Sequence, residues 1–395
     1  MATVVADMLM RSGDLKKALV EFGRRPRFAK ALRGARSGAG DEEGPINRFD
    51  SFILQHRLAD GRTVVDHFVA AHPDLPEPDR QMLLGWRDVV EGLFEVQRRH
   101  GDALLLANLL DELTYRVHSN VGTAVFAQMP RRSFLLARLV PIGQEWLFSG
   151  TQRMLPSSAR REVARVAAES CLQHPALVFR NPEKLRRAWE LQRQDRAYFI
   201  EFFGADLIIL LGTEAAERIR AYWEHRARRI TDGGQAYAPE PHLPPALTES
   251  RSVGVIYDEV EGLNFYANFA LVAEAFADPE IVTRRPHRHR RAVASYLKDD
   301  SVSPLPFQRL AAQDPAKASR LFQLVLKRPA FSWDADGETL LRRRKRAFFD
   351  RPTLPSLTPT SAIAMEHYHS ATSPPARSRR PLTALAGDAH ARHVP

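Results

Sequence analysis

At Glu91 the spacing of apolar residues changes. Up to Trp86 they recur at three and four residues, and from Phe94 they alternate. A side chain repeats its direction every 3.6 residues on a helix and every 2 on a strand, so no single element carries both patterns. "INRFDSFILQHRL" and "RTVVDHFVAAH" therefore predict helices. "HPDLPEPDRQMLLGW" predicts another, with Pro76 and Pro78 placed to open it and Gly85 to close it. Beyond Glu91, "LFEVQRRHG" alternates through Phe94 and Val96, and "ELTYRVHS" through Leu113, Tyr115 and Val117. "SFLLARLVPIGQEWLFSG" sets Leu135, Ala137 and Leu139 on one side and Trp146 and Phe148 on another. The breaks at Gly101, Asp111 and Pro141-Ile142-Gly143 are hairpin-like. Four or five short antiparallel strands predict a small β-barrel or a strongly twisted sheet over about 91–150.

Helical spacing then returns. One helix is bounded by Pro156 and Pro175, and a longer one opens at Asn181-Pro182 and runs towards Phe203. "ADLIILLGTEAAERIRAYWEHRARR" reads as a strand at 206–211 followed by a helix capped by Thr213. An unbroken helix competes there, weakened by Gly212. Residues 231–250 are rich in Gly, Pro, Thr and Ser and predict a linker and domain boundary. A strand at 252–257 and a helix at about 265–277 follow, then helices near 289–297, 303–312 and 315–327. No internal repeat stands out.

The expected class is α+β and mainly α-helical. An N-terminal helical segment and linker (1–44) precede a helical domain (45–230) that embeds the small sheet. After the 231–250 linker comes a basic, mostly helical C-terminal domain with strand edges (251–351). A tail rich in Pro, Ser, Thr and Ala (352–395) is expected to be disordered.

Composition removes several functions. Cys171 is the only cysteine, so no internal disulfide or Cys-based zinc cluster is available. It continues a helical apolar pattern through Val163, Val166, Ala167 and Ser170, which predicts a buried structural thiol. No apolar run nears the 18 residues of a membrane span, and Asp7 interrupts the apolar start, against a secretory signal. A cytoplasmic protein is expected. G-x-x-x-x-G-K-[ST], G-x-G-x-x-G, G-x-S-x-G and H-E-x-x-H are all absent, and no cofactor is expected.

The net charge of +10 is unevenly placed. Residues 281–395 hold 21 Lys and Arg against 9 Asp and Glu, a net of +12, and the preceding 280 residues hold 36 against 38. Such asymmetry points to an anionic partner. Two runs carry it. "RRPHRHRR" brings Arg284, Arg285, Arg288, Arg290 and Arg291 together, with His287 and His289 between them. "LLRRRKRAFF" strings Arg342, Arg343, Arg344, Lys345 and Arg346 before Phe348 and Phe349, a pattern that fits a nucleic-acid platform or a helix whose cations lie over its carboxyl end. Arg98, Arg99, His100, Arg116 and His118 add a charged face to the predicted strands.

The densest chemical stretch is "YDEVEGLNFYANF", residues 257–269. Asp258, Glu259 and Glu261 fall between a predicted strand and a predicted helix capped by Asn264, with Phe265, Phe269, Val272 and Phe276 as its stripe. The bland reading is a capped turn. The chemical one is a divalent-metal site through Asp258 and Glu261, or an acid/base cluster of all three. The leading functional reading is an intracellular, non-catalytic binding or adaptor protein whose basic C-terminal third meets an anionic partner, nucleic acid among them. The alternatives are a metal-dependent hydrolase or nuclease using Asp258, Glu259 and Glu261 with His287 or His289, and a structural module that binds other proteins.

Overall fold

A computed structural model describes residues 2–35, 44–230, 243–359 and 361–372. The fold is α+β and mainly helical, and it divides into two units. One holds the described residues up to Ser170 together with 361–372, and the other runs from Cys171 to Pro359. Among the described residues, no helix is long and apolar enough to cross a membrane.

The first unit begins with α1 (Ala2–Gly23), α2 (Ala29–Gly34), α3 (Pro45–Leu54), α4 (Val64–Ala71) and α5 (Glu77–Gly85). Pro78 stands in the first turn of α5 and Gly85 ends it, as the sequence predicts. A capping box opens α4: the Thr63 hydroxyl accepts from Asp66 N, and the Asp66 carboxylate accepts from Thr63 N. These helices share a core of Phe22, Phe52, Ile53, Phe68 and Trp86 with Val140, Ile142 and Leu147 of the sheet.

That sheet is a closed barrel of β1 (Val90–His100), β2 (Ala103–Asn108), β3 (Thr114–His118), β4 (Phe134–Ile142) and β5 (Glu145–Leu155), in the order β1-β2-β3-β5-β4. β1 serves two neighbours. Its first half pairs with β4 (Val90↔Leu139 to Glu95↔Phe134) and its second with β2 (Phe94↔Asn108 to His100↔Ala103). A bulge between Val96 and Arg98 bends it from one to the other. Closure comes from a short parallel pair, Val117↔Trp146 and His118↔Leu147, so the sheet is not purely antiparallel. Phe94, Val96, Tyr115, Val117, Leu135, Ala137, Leu139 and Phe148 fill the interior, the residues whose alternation marked the strands. Gly101 (φ 64°) makes the first turn. Asp111 makes the second, accepting from Asn108 Nδ2 (2.9 Å), Leu113 N (2.8 Å) and Tyr115 Oη (2.6 Å). The third turn is Gly143 (φ 61°) and Gln144, because Pro141 and Ile142 stay in β4 opposite Trp146 and Glu145. Connectivity by itself assigns no function.

In the second unit, α6 (Arg160–Gln173), which spans the division, leads into α7 (Pro175–Val178) and α8 (Pro182–Phe203). Asn181 caps α8 by accepting from Glu183 N and Lys184 N, and Gly204 (φ 81°) ends it. β6 (Leu207–Leu211) and α9 (Gly212–Ile230) follow, which decides the strand-or-helix choice at 206–211 for the strand. After α10 (Pro245–Thr248) come β7 (Ser252–Asp258) and β8 (Gly262–Ala267). The three strands form one antiparallel sheet, β6-β7-β8. The expected boundary at 231–250 falls inside this unit, since β6 before it pairs with β7 after it; residues 231–242 lie outside the described ones.

β7 is covered on both faces. Val253, Val255 and Tyr257 pack on Phe199, Ile219 and Tyr222 of α8 and α9. Ile256 and Tyr266 pack on the other side against α11 (Phe269–Ala277), α12 (Arg288–Lys298), α13 (Leu305–Gln313), α14 (Pro315–Leu326) and α15 (Trp333–Arg344). Phe307 and Phe322 meet edge-on there, ring centroids 5.7 Å apart. Asp314 caps α14 by accepting from Lys317 N, with Pro315 next in line. A short α16 (Arg346–Phe349) closes this layer.

The last described element, α17 (Ala362–Thr372), belongs to the first unit. Its helix differs from the expectation of disorder from 352 onward. Its anchors are tertiary: Ala364 is buried, and Ala362 N donates to Glu112 of the barrel. Residues 373–395 of the expected tail lie outside the described ones.

Candidate anion-binding surface

The acidic stretch is a hairpin turn. Tyr257↔Leu263 and Asp258↔Gly262 close β7 onto β8. Asp258 Oδ1 accepts from Val260 N (2.8 Å) and Glu261 N (3.1 Å), and Gly262 supplies the left-handed φ of 71°. The expected helix start is corrected here. Asn264 and Phe265 lie within β8, and the helix begins at Phe269 after Asn268 (φ 58°). Asn264 Nδ2 donates to the Glu261 and Gly262 carbonyls instead of capping a helix. Phe269, Val272 and Phe276 do form the buried stripe.

The three carboxylates address different arginines. Asp258 stands 3.9 Å from Arg309, the exposed Glu259 3.5 Å from Arg196, and Glu261 3.7 Å from Arg351. Arg196 and Arg309 also share Asp206, whose carboxyl is pushed up by burial but held below its usual value overall by these two guanidiniums. Glu261 goes the other way: burial raises its carboxyl, and Asp258 adds to this, against Ser303 and Arg351. Among the described residues, no group of three or more His, Cys, Asp and Glu is arranged to hold a metal ion. Tyr257 points elsewhere, donating to the buried Asp195 (2.8 Å), which also pairs with Arg226.

The basic runs are sorted by the fold. Within 284–291, Arg284 pairs with Asp278 (2.9 Å), and Arg290 donates to the Leu324 and Val325 carbonyls at the end of α14. His289 is buried against Glu274 (2.7 Å). That leaves Arg285, Arg288 and Arg291, whose exposed side chains make no hydrogen bond or ion pair among the described residues. Arg288, Arg290 and Arg291 stand in the first turn of α12, which carries no acidic residue. A helix amino end is already partially positive, so cations there oppose the dipole, at about 0.3–1 kcal/mol each.

The 342–346 run has ordinary partners for the most part. Arg342 pairs with Glu338 and lies over Phe349, and Arg346 pairs with Asp350. Lys345 is buried and donates to Asp299 O. Arg343 and Arg344 remain exposed at the carboxyl end of α15, where the dipole favours them. Phe348 and Phe349 each carry an arginine of this chain on one ring face, Arg351 and Arg342. Lys345 meets the carboxyl end of α12, whereas 284–291 lies at its amino end, about 16 Å away over eleven residues. The two runs are separate patches.

On the barrel, Arg98, Arg99 and His100 are exposed at the end of β1. Arg116 is tied to Asp102 and Glu145, and the buried His118 also meets Glu145. Burial raises the Glu145 carboxyl, but His118 and Arg116 together bring it below its usual value.

Sequence spacing passes over one polar group entirely. Asp50 of α3 is 3 % exposed and is shared by Lys16 of α1, Arg138 of β4 and Ser149 of β5. Arg138 also reaches Glu91 (2.6 Å) and Gln55 (2.7 Å). Ser149 Oγ lies 3.0 Å from Lys16 Nζ, but the hydroxyl is buried and bonded to Asp50, so the group works as a fastening between helices and barrel. Compared with family models, curated proteins and solved structures, the chain matches none.

Proposed function

We propose that this chain is a non-catalytic binding protein that meets a polyanion, with nucleic acid the partner its charge pattern suits. One observation carries the reading: the first turn of α12 presents Arg288 and Arg291, with Arg285 just before it, against the helix dipole and without a carboxylate. A phosphate placed there meets both the guanidiniums and the positive helix end. The net of +12 over residues 281–395 supplies the wider attraction. The metal-dependent hydrolase reading has less support, because the oxygens of Asp258, Glu259 and Glu261 are engaged by backbone amides and separate arginines.

The test is fluorescence anisotropy with labelled mixed-sequence DNA and RNA over a range of salt. Affinity is expected to fall linearly with salt on logarithmic axes. A triple variant, Arg285→Ala, Arg288→Ala and Arg291→Ala, is expected to shallow that slope by roughly 2–3 without lowering the thermal transition, since two of the removed cations oppose the dipole of α12. Negligible binding at low salt, or an unchanged slope in the variant, removes the proposal.

A further inference from the structure

The first unit holds a cavity of about 400 Å³ between the barrel and α17. It is lined by Gln97 of β1, Arg131 and Arg132 before β4, Arg160 at the start of α6, and Glu366 and His367 of α17. Glu95 and the ring of Phe134 form its inner wall, with Ile363 beside them.

Charge inside the cavity is unbalanced. Arg131 and Arg132 have no hydrogen bond or ion pair from their side chains among the described residues. Among the described residues Arg160 spends only Nε, on the Ser157 carbonyl (3.3 Å). The Glu95 carboxylate is already held by Gln97 Nε2 (2.9 Å) and His367 Nε2 (3.2 Å). His367 itself packs edge-on against Phe134, centroids 5.1 Å apart, which holds α17 against the barrel. The loop is set by the barrel: Arg132 N donates to Val96 O, and Val96 N donates to Ser133 O, so Arg131 and Arg132 are anchored beside β1. Arg132 sits at φ 64°, the left-handed region that non-glycine residues seldom adopt.

We infer that this cavity is a binding site for a small phosphate ester, with Arg131, Arg132 and Arg160 holding the phosphate. Three guanidiniums suit a dianion with three free oxygens, since each offers paired N–H donors in a planar fork. The volume suits a molecule of mononucleotide size, within the roughly 300–1,000 Å³ of ligand pockets. The side-chain oxygen of Gln97, in the same lining, gives the rest of such a molecule a polar partner. This site belongs to the first unit and is independent of the arginines of α12.

Isothermal titration of the full chain with adenosine 5′-monophosphate, inorganic phosphate and adenosine separates charge from the remainder of the ligand. The phosphate-bearing probes are expected to bind saturably and adenosine at least about tenfold more weakly, the range of lost charged hydrogen bonds. The double variant Arg131→Ala, Arg132→Ala is expected to lose about tenfold or more for the monophosphate, with its thermal transition unchanged because both side chains are exposed. Arg160→Ala is expected to do the same in part, and the triple variant of α12 to bind as wild type does. Absence of saturable binding by both phosphate probes up to about 10 mM overturns the inference. So does undiminished binding in the double variant, or equal binding of adenosine.

Discussion

Glu261 shows how far a side chain's setting departs from its sequence context. Between Asp258 and Gly262 it reads as one of three acids in the link from a strand to a helix. In the fold its side chain is 19 % exposed, beside Ser303 and Arg351, and burial raises its carboxyl above the usual 4.5. A carboxyl raised on folding favours its neutral form, so the stability it contributes is present below about pH 4.5 and lost as pH rises through the raised value. Glu261→Gln, which keeps the neutral form, is therefore expected to melt at a higher temperature than wild type at pH 7 and at the same temperature near pH 4. Thermal unfolding followed by circular dichroism at the two pH values reads this. A lower transition at pH 7 sinks the assignment. Asp258, three residues away, has a different task in the turn: its Oδ1 accepts two backbone amides.

Elements were readable wherever local spacing and termini agreed. Asn181-Pro182, Asp314-Pro315 and Gly85 all mark helix ends where the sequence placed them. Residues 263–268 were not readable. Phe265 and Phe269 are four apart, as on a helix, and Leu263 and Phe265 are two apart, as on a strand. β7 decides, by offering Val255 and Tyr257 as partners for Phe265 and Leu263. Gly254 in that strand permits the close approach of α11: a Cβ there lies 2.6 Å from Phe269 Cβ. Gly254→Ala is expected to cost about 1–3 kcal/mol by overpacking, measured as a shift in the denaturant midpoint. Ser295→Ala, on the exposed side of α12, is the control and should stay within about 0.5 kcal/mol. Equal midpoints for the two variants refute the close-approach account.

Across the first unit, one buried carboxylate joins four elements. Burial pushes the Asp50 carboxyl up, but Lys16 and Arg138 outweigh it and leave it below 3.8. Burial of Lys16 lowers its ammonium more than Asp50 raises it, so the lysine depends on its partner. Asp50→Asn leaves two cations facing a neutral amide, and such broken buried pairs cost about 3–5 kcal/mol. Urea unfolding at pH 7 measures this. A carboxyl lowered on folding contributes stability above about pH 3.8 and loses it as pH falls through the lowered value, so the gap between wild type and variant should narrow in acid. A constant gap from pH 7 to pH 3, or none at pH 7, contradicts the role assigned to Asp50.

Taken alone, the sequence determined the class of structure: helices before Glu91, strands after it, helices again, and caps at several boundaries. These follow from directions that repeat along a single segment, and local spacing is enough to set them. It also located the basic excess, which is a matter of counting. The tertiary structure decided that the barrel closes through β3 and β5, and that the acidic stretch is a hairpin turn answered by three arginines. It also decided that Arg284 and Arg290 are occupied while Arg288 and Arg291 stay free, and that Arg131, Arg132 and Arg160 surround a cavity under α17. A side chain's charge is written in the sequence, but its partner is whichever group the fold brings within about 4 Å, and here that group is often a hundred residues away.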